Sequence, residues 1–305
     1  MDCESQIKNG IQRKIKHLVI SGGSIWGFSA FGIIYEAICC GFVHMDDIQS
    51  IYSTSVGAVV GIMFSLHIDH IILKEYLVNR PWDQLCKKSA YSVLEIFDSK
   101  GIFQKLFFVE IFTPLFKSVD LPIDLTMQQL YDYNGIDFHI YVTELNTFTL
   151  VDISYKTHPD WLVVDAILAS CSIPFLFSPV IKENSCYLDG GFFLNYPISK
   201  CIENVESHDE IFGISLGNNS KQHSSTIITT ESSIFDLLNV LLNRVINHID
   251  LFTNEKISAI QYTMHYFSKE TTLDFCVQVL YNKNDRNDLI YNGISAFKEK
   301  YTEWS

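Results

Sequence analysis

The sequence predicts an α/β fold with a mainly parallel central sheet and helices on both of its faces. Two strand–turn–helix units follow one another near the start of the chain. The buried run "HLVISGG" at 17–23 leads into helical spacing in "FSAFGIIYEAICCGF", and "IQSIYSTS" at 48–55 leads into "GAVVGIMFSLHI". Successive units of this kind place their strands side by side and parallel, joined by right-handed crossovers. We therefore expect a three-layer α/β/α domain.

The later elements continue this pattern. Residues 71–133 are mainly helical in character, and "DFHIYVTEL" and "FTLVDIS" then predict two strands around a turn. "WLVVDAILASCSI" predicts a helix that ends before Pro174, "CYLDGGFFLNYP" a strand with a Gly-Gly turn, and "EIFGISLG" another buried strand. Over 233–251 the spacing of polar residues predicts a mostly apolar helix with one polar stripe that faces solvent. "LDFCVQVL" predicts a last strand, and "LIYNGISAFKEKY" predicts a last helix.

The composition is that of a folded chain with a sizeable core. Of 305 residues 48% are hydrophobic and only 19% are charged, which argues against disorder. We expect a polar N-terminal segment over 1–15, a core domain over 16–215, and an extension of helices and strands over 216–305 that packs on the core.

Charge and cysteine use limit the partners and the compartment. The net charge of −13 disfavours nucleic acid and strongly anionic membranes as general partners, since both need clustered Lys and Arg. The eight cysteines form no Cys-x-x-Cys pair, so we expect no zinc site. The polar start "MDCESQIKNG" and the lack of an apolar run of about 18 residues predict neither a signal peptide nor a membrane helix. The expectation is a cytoplasmic protein whose contact with membranes is peripheral, local and mostly apolar.

Three segments contain candidate residues for catalysis or ligand binding. The first is "SGGSIWG", Ser21 to Gly27, directly after the first strand. Glycines at such a turn let backbone N–H groups point at one anion, and a helix that begins just beyond favours the same site. Dinucleotide binding, an oxyanion hole and a purely structural turn are all compatible with this segment alone.

The second segment is "STSVG", Ser53 to Gly57, at the turn between the second strand and its helix. A serine at a sharp strand-to-helix turn exposes its hydroxyl, and small neighbours relieve the crowding there. Ser55 is therefore a candidate nucleophile, with a simple helix cap as the alternative.

The third segment is Asp189-Gly190-Gly191 at the end of a later strand. A carboxylate at this place can accept the proton of a serine, although Asp-Gly is also an ordinary turn.

Taken together and in this order, the three segments resemble the patatin-like phospholipases, a family of lipid acyl hydrolases with a Ser–Asp dyad. The family's glycine-rich loop is similar to "GGSIWG" at 22–27, its G-x-S-x-G to "STSVG", and its Asp-Gly-Gly to residues 189–191. "VTELNTFTLVDIS", "AILASCSIPFLFSPV" and "NYPISKCIENV" agree with the family pattern as well. The resemblance covers roughly residues 15–215.

The resemblance implies a function and a role for each motif. Ser55 would be the nucleophile and Asp189 its base, and the oxyanion hole would be formed by the N–H groups of Gly22, Gly23 and Ser24. The supporting motif residues would be Ser53, Gly57, Gly27, Gly190 and Gly191. The implied substrate is a phospholipid or lysophospholipid at a transiently bound membrane surface, and neither a cofactor nor a metal is implied. The sequence indicates no particular protein partner.

Three residues depart from the family pattern. Ser53 replaces the first glycine of the elbow, Ser24 replaces the third glycine of the loop, and Trp26 stands where the family usually has Arg or Lys. The alternative function is therefore a catalytically degenerate patatin-like protein that binds lipid or a protein partner. Trp26, Phe28, Phe192 and Phe193 are candidates for the lining of an apolar cleft.

A second alternative is an α/β-hydrolase with a Ser–Asp–His triad. Four histidines follow Asp189: His208, His223, His248 and His265. Only one strand–helix unit precedes Ser55, whereas that fold places several strands before the elbow, so the sequence favours the dyad.

Overall fold

A computed structural model describes residues 14–90, 92–218, 228–230, 232, 260–268 and 272–304, together with positions 237, 240, 241, 244 and 245. The strands are β1 His17–Ile20, β2 Ser50–Thr54, β3 Gly101–Phe103, β4 Asp137–Glu144, β5 Thr149–Ile153, β6 Phe175–Phe177, β7 Val180–Lys182, β8 Ser185–Asp189, β9 Ile211–Asn218 and β10 Tyr262–Ser268. The helices are α1 Gly27–Cys39, α2 Val56–Ser65, α3 His70–Asn79, α4 Trp82–Ser89, α5 Val93–Ser99, α6 Leu106–Ser118, α7 Met127–Asn134, α8 Val163–Cys171, α9 Ile198–Asn204, α10 Leu273–Tyr281 and α11 Lys283–Trp304.

The central sheet of the described residues has the strand order β10-β9-β1-β2-β4-β8-β7, and β5 also pairs with β4. Strands β10, β9, β1, β2 and β4 run parallel to one another, whereas β5 and β8 run antiparallel to β4. A separate parallel pair is formed by β3 and β6. The predicted α/β fold with a mainly parallel central sheet is confirmed.

Helices cover both faces of this sheet because side chains alternate along its strands. Leu18 and Ile20 of β1 belong to the larger apolar cluster, which includes the buried residues of α1, α2 and α8. Val19, between them in sequence, points to the smaller cluster with Ile198 and Cys201 of α9. The strand ends that carry the functional candidates therefore lie between two buried layers.

The C-terminal helix α11 packs along α1 with the two backbones in contact. A methyl group added at Gly32 would lie 2.1 Å from the carbonyl oxygen of Ile290, and one at Gly293 would lie 2.1 Å from that of Ser29. The Ser29 hydroxyl also donates to the carbonyl oxygen of Leu289 at 3.0 Å. This contact holds the end of the chain on the core domain.

Arg286 of α11 fixes two neighbouring helix ends. Its buried guanidinium donates to the carbonyl oxygens of Val78 at the end of α3 and of Leu280 at the end of α10, each at 2.8 Å. A positive charge at two helix C-termini complements their dipoles and satisfies carbonyl groups that the helices leave unpaired. Arg286 therefore sets the position of α10, which forms part of the candidate site.

The last strand was wrongly assigned from the sequence. "LDFCVQVL" is helix α10, and the strand that completes the sheet is β10, which the sequence analysis did not recognise. The Thr272 side chain accepts the N–H of Phe275 at 3.2 Å and so caps the first turn of α10. The helix packs Cys276 and Leu280 toward the core, four residues apart, and leaves Val277 exposed. The predicted helix over 233–251 falls almost wholly outside the described residues. In the part of the chain that is described, no helix combines the length and the apolar character that a membrane crossing requires.

Candidate active site

Ser55 lies at the turn from β2 to α2 in a strained conformation. Its φ of 54° and ψ of −127° are unusual for any residue other than glycine. The Ser55 N–H donates to the Ser170 hydroxyl at 2.8 Å, and that hydroxyl donates to the Tyr141 carbonyl oxygen at 2.7 Å. Helix α8 and strand β4 together hold the turn, which has the geometry of a nucleophile elbow.

The small residues on each side of Ser55 make this turn possible. A methyl group at Gly57 would lie 2.3 Å from the carbonyl oxygen of Ile20, so α2 packs directly on the end of β1. Ser53, where the family has glycine, is fully buried, and its hydroxyl donates to the His139 carbonyl oxygen at 3.1 Å. The serine is accommodated without an unsatisfied polar group.

Asp189 and Ser55 lie at the same level on the two sides of β4. Thr54 of β2 pairs with Tyr141 of β4, and Asp189, which ends β8 and is 3% exposed, pairs with the next residue, Val142. Gly190 follows Asp189 and packs against the Tyr141 carbonyl oxygen, where a methyl group would lie at 2.2 Å. Two residues far apart along the chain thereby meet at one edge of the sheet.

The environment of Asp189 changes its acidity. Burial raises the pKa of the Asp189 carboxyl to about 6, and hydrogen bonds from the Ser55 hydroxyl and the Gly191 N–H limit the rise. The Gly191 N–H donates to Oδ1 at 2.7 Å. A carboxyl with this pKa is mostly ionised at neutral pH and is a stronger base than an exposed aspartate.

The glycine-rich loop lies against Ser55, but its N–H groups are not equivalent. A methyl group at Gly22 would lie 3.2 Å from Cβ of Ser55 and 2.4 Å from Oδ1 of Asn195. The Gly22 N–H donates to the Asn195 carbonyl oxygen at 3.0 Å, so it is not free for a ligand. Within the described ranges, neither the N–H of Gly23 nor that of Ser24 donates to a protein acceptor. Gly27, at the start of α1, packs on Val56.

A cavity of about 470 Å³ opens beside Ser55. Ser55 is only 6% exposed, yet it lines this cavity together with Ser24. The rest of the lining comes from the loop, from α1, α2, α3, α4, α6, α8 and α10, and from the β3–β6 pair with the turn before β6. It includes Phe28, Met63, Leu77, Trp82, Phe103, Phe107, Phe108, Ile111, Cys171, Ile173, Phe177, Cys276 and Leu280. No charged residue of the described chain lines it.

Of the four aromatic residues proposed for the cleft, only Phe28 lines the cavity. Trp26 packs with Phe275 and Tyr266, at ring-centre distances of 5.4 and 6.2 Å. Phe193 packs against Phe148 at 4.7 Å, and Phe192 is half-buried outside the lining. The contributions of α6 and α10 could not be predicted from the sequence, because an apolar helix face gives no sign of whether it faces the core or a cavity.

The histidine alternative gains no support from the described residues. His208 lies just before β9, at the opposite edge of the sheet from Ser55. His265 lies on β10, with β9 and β1 between it and β2. His223 and His248 lie outside the described residues. Among the residues described, no histidine lines the cavity, and no cluster of His, Cys, Asp and Glu is placed to hold a metal ion.

Residues 18–202 match the family described as Patatin-like phospholipase. The chain belongs to this family. Patatin-like proteins are lipid hydrolases of the esterase type, and the loop, the elbow and Asp189 all lie inside the matched range.

Two viral proteins are similar to this chain. An uncharacterized protein of Acanthamoeba polyphaga mimivirus is 25% identical over 221 residues, which is 72% of this chain and 71% of that protein. A probable lipid hydrolase of Invertebrate iridescent virus 6 is 24% identical over 199 residues, which is 62% of this chain and 63% of that protein. Among solved structures, VipD from Legionella pneumophila superimposes with a TM-score of 0.50 at 14% identity, over 97% of this chain and 72% of VipD. That similarity concerns the patatin-like fold alone.

Proposed function

We propose that this patatin-like protein cleaves a carboxylic ester of a phospholipid or lysophospholipid through an acyl-enzyme on Ser55, with Asp189 as general base. One observation carries the proposal. A serine held in a strained elbow lines a cavity without charged residues among those described, and a buried carboxylate lies within hydrogen-bonding reach of that serine. Such a cavity suits an acyl chain, and the dyad beside it suits the ester at the head of that chain.

The chemistry follows from these positions. Asp189 accepts the proton of the Ser55 hydroxyl as Oγ attacks the ester carbonyl carbon, and the N–H groups of Gly23 and Ser24 stabilise the oxyanion. The tetrahedral intermediate collapses, the bond to the alcohol breaks, and the alcohol takes the proton from Asp189. Water then attacks the acyl-enzyme, gives a proton to Asp189, and releases the fatty acid as that proton returns to Ser55.

The lining of the cavity and Trp26 bear on the head group. Where family members usually carry a cation, Trp26 packs on Phe275, so no fixed positive charge stands at this position of the loop. We infer that the acyl chain supplies most of the binding free energy through apolar burial. The head group then stays outside the cavity, near solvent.

The mouth of the cavity is suited to a lipid surface. Three lining residues are also exposed there: Phe175 by 46%, Val277 by 44% and Tyr281 by 52%. The Lys87 Nζ lies over the Tyr281 ring, 5.6 Å from its centre, which is within the distance of a cation–π contact. Apolar side chains beside a lysine favour the boundary between acyl chains and head groups, which supports transient peripheral contact with a membrane.

Release of fatty acid from vesicles tests the proposal. We expect the wild-type protein to release fatty acid from phosphatidylcholine or lysophosphatidylcholine, and Ser55→Ala to release none above background. The Ser55→Ala protein should bind the same vesicles and unfold at a temperature close to that of the wild type, because it loses one hydroxyl only. Vesicle binding with no hydrolysis by the wild-type protein would contradict the proposal and favour a degenerate lipid-binding member.

A further inference from the structure

Ser24 adopts a backbone conformation that needs support from its surroundings. Its φ is 51°, in the left-handed region that favours glycine, and the family has glycine at this position of the loop. A non-glycine residue keeps such a conformation only when neighbouring contacts hold it. The direction of its N–H depends on that conformation, and this N–H is one of the two that the proposed function assigns to the oxyanion.

Helix α10 supplies contacts at this point. Cys276 Sγ lies 3.8 Å from the Ser24 hydroxyl, within the range of a hydrogen bond to sulfur. Burial raises the pKa of the Cys276 thiol, while hydrogen bonds from Ser24 and from the Ile25 N–H act in the opposite direction, so two loop residues meet one sulfur. The preceding residue, Phe275, packs on Trp26. Two consecutive residues of α10 therefore brace three consecutive residues of the loop.

The helix is itself fixed at both ends. Thr272 caps its first turn, and Arg286 binds the carbonyl oxygens of Val279 and Leu280 in its last turn. This helix lies beyond residue 202, where the family match ends. It is a rigid support that belongs to the C-terminal part of the chain.

We propose that Cys276 is a positioning residue that holds Ser24 in the left-handed conformation and so aims the Ser24 N–H at the oxyanion. The inference rests on the proposed function of Ser55. When Cys276 is shortened, Ser24 relaxes toward the conformations that serine prefers, and its N–H turns away from the cavity. A glycine at position 24 does not need this support, because it has no Cβ to crowd the loop.

A double-mutant cycle tests this dependence. The rate constant for phosphonylation of Ser55 by a fluorophosphonate ester and the kcat and KM for fatty acid release are measured in four proteins: wild type, Cys276→Ala, Ser24→Gly and the double variant. We expect Cys276→Ala to lower the phosphonylation rate constant and kcat about tenfold with KM unchanged, since oxyanion stabilisation acts in the transition state. In the Ser24→Gly background the same change should alter both by less than about twofold.

Two further variants separate positioning from packing. Cys276→Ser replaces the thiol by a hydroxyl that can still form a hydrogen bond, and it should retain most of the rate. Cys39→Ala removes an exposed thiol outside the site and should match the wild type. Equal losses from Cys276→Ala in both backgrounds, or no loss in either, would overturn the inference.

A measurement that does not depend on catalysis separates the test of this inference from the test of the proposed function. The backbone chemical shifts of Ser24 report its φ and should change in Cys276→Ala and stay near the wild type in Cys276→Ser. Unchanged shifts in Cys276→Ala would overturn the positioning role even if Ser55 proved inert. Changed shifts in a folded protein that is never labelled at Ser55 would instead contradict the proposed function alone.

Discussion

Replacing Asp189 with Asn should lower kcat for lipid ester hydrolysis by about 10³-fold, with KM nearly unchanged. Asparagine can still accept the Gly191 N–H, which Asp189 Oδ1 accepts at 2.7 Å, so the local structure has little reason to move. It cannot take the proton of Ser55. Fatty acid release by purified Asp189→Asn, with Ser55→Ala as the background control, measures this loss.

The same residue should set the pH dependence of the wild type. Because burial raises the pKa of Asp189 to about 6, its basic form is lost as pH falls through that value. We expect kcat/KM to rise with pH through about 6 and then to level off. The residual activity of Asp189→Asn should lack this step.

Stability should change in the opposite direction from activity. The carboxyl of Asp189 ionises near pH 6 in the folded protein and near its usual value of 3.8 in the unfolded chain. The native state therefore binds the proton more tightly, and stability falls as pH rises from about 4 to 6. At pH 7 Asp189→Asn should be more stable by about 3 kcal/mol, and this difference should disappear below about pH 4. An Asp189→Asn variant as active as the wild type, or one that is less stable than the wild type at pH 7, would contradict the proposed role.

Replacing Gly57 with Ala should destabilise the protein by about 3 kcal/mol and remove activity. In an exposed helix the same change would stabilise by roughly 1 kcal/mol, since Ala is the better helix former. Here the added methyl group would lie 2.3 Å from the carbonyl oxygen of Ile20 and 2.8 Å from that of Ser21. Both obstacles are backbone atoms at the start of the glycine-rich loop. Relief of the clash must therefore move the loop away from the elbow.

Gly217→Ala is the matched control for Gly57→Ala. Gly217 lies on β9, where an added methyl group meets no atom of the described residues within 4 Å. Urea denaturation should place it within about 0.5 kcal/mol of the wild type. If Gly57→Ala is as stable and as active as Gly217→Ala, the close packing of α2 on β1 is not what holds the elbow in place.

The glycine-rich loop and the elbow at Ser55 could be predicted because their sequence signals are local. A strand that runs into glycines and then a helix is visible within about ten residues, and it occurs at "HLVISGG" and at "IYSTSVG". The small residues at 53 and 57 are needed by the turn itself, so they occur next to Ser55 in the sequence. The role of Asp189 has no such local signal, because Asp-Gly is also an ordinary turn. Only the order of the three motifs along the chain indicates it.

The contacts that tune the site could not be predicted, since their partners are distant in sequence. The Asn195 carbonyl oxygen accepts a hydrogen bond from the Gly22 N–H, and the Ser170 hydroxyl accepts one from the Ser55 N–H. Nothing in the local sequence around Asn195 or Ser170 indicates this role. The segment "LDFCVQVL" alternates apolar residues as a strand would, and the cap at Thr272 and the packing of Phe275 on Trp26 are what favour a helix. Because that helix was not predicted, the contact between Cys276 and the glycine-rich loop could not be predicted either.

The most direct test of the Ser55–Asp189 dyad is the reaction of the wild-type protein with a fluorophosphonate ester, followed by proteolysis and mass mapping of the adduct. We predict one phosphonyl group per chain on Ser55, none on Ser55→Ala, and slow labelling of Asp189→Asn. A well-folded wild-type protein that stays unlabelled, or that is labelled at another residue, would contradict the dyad.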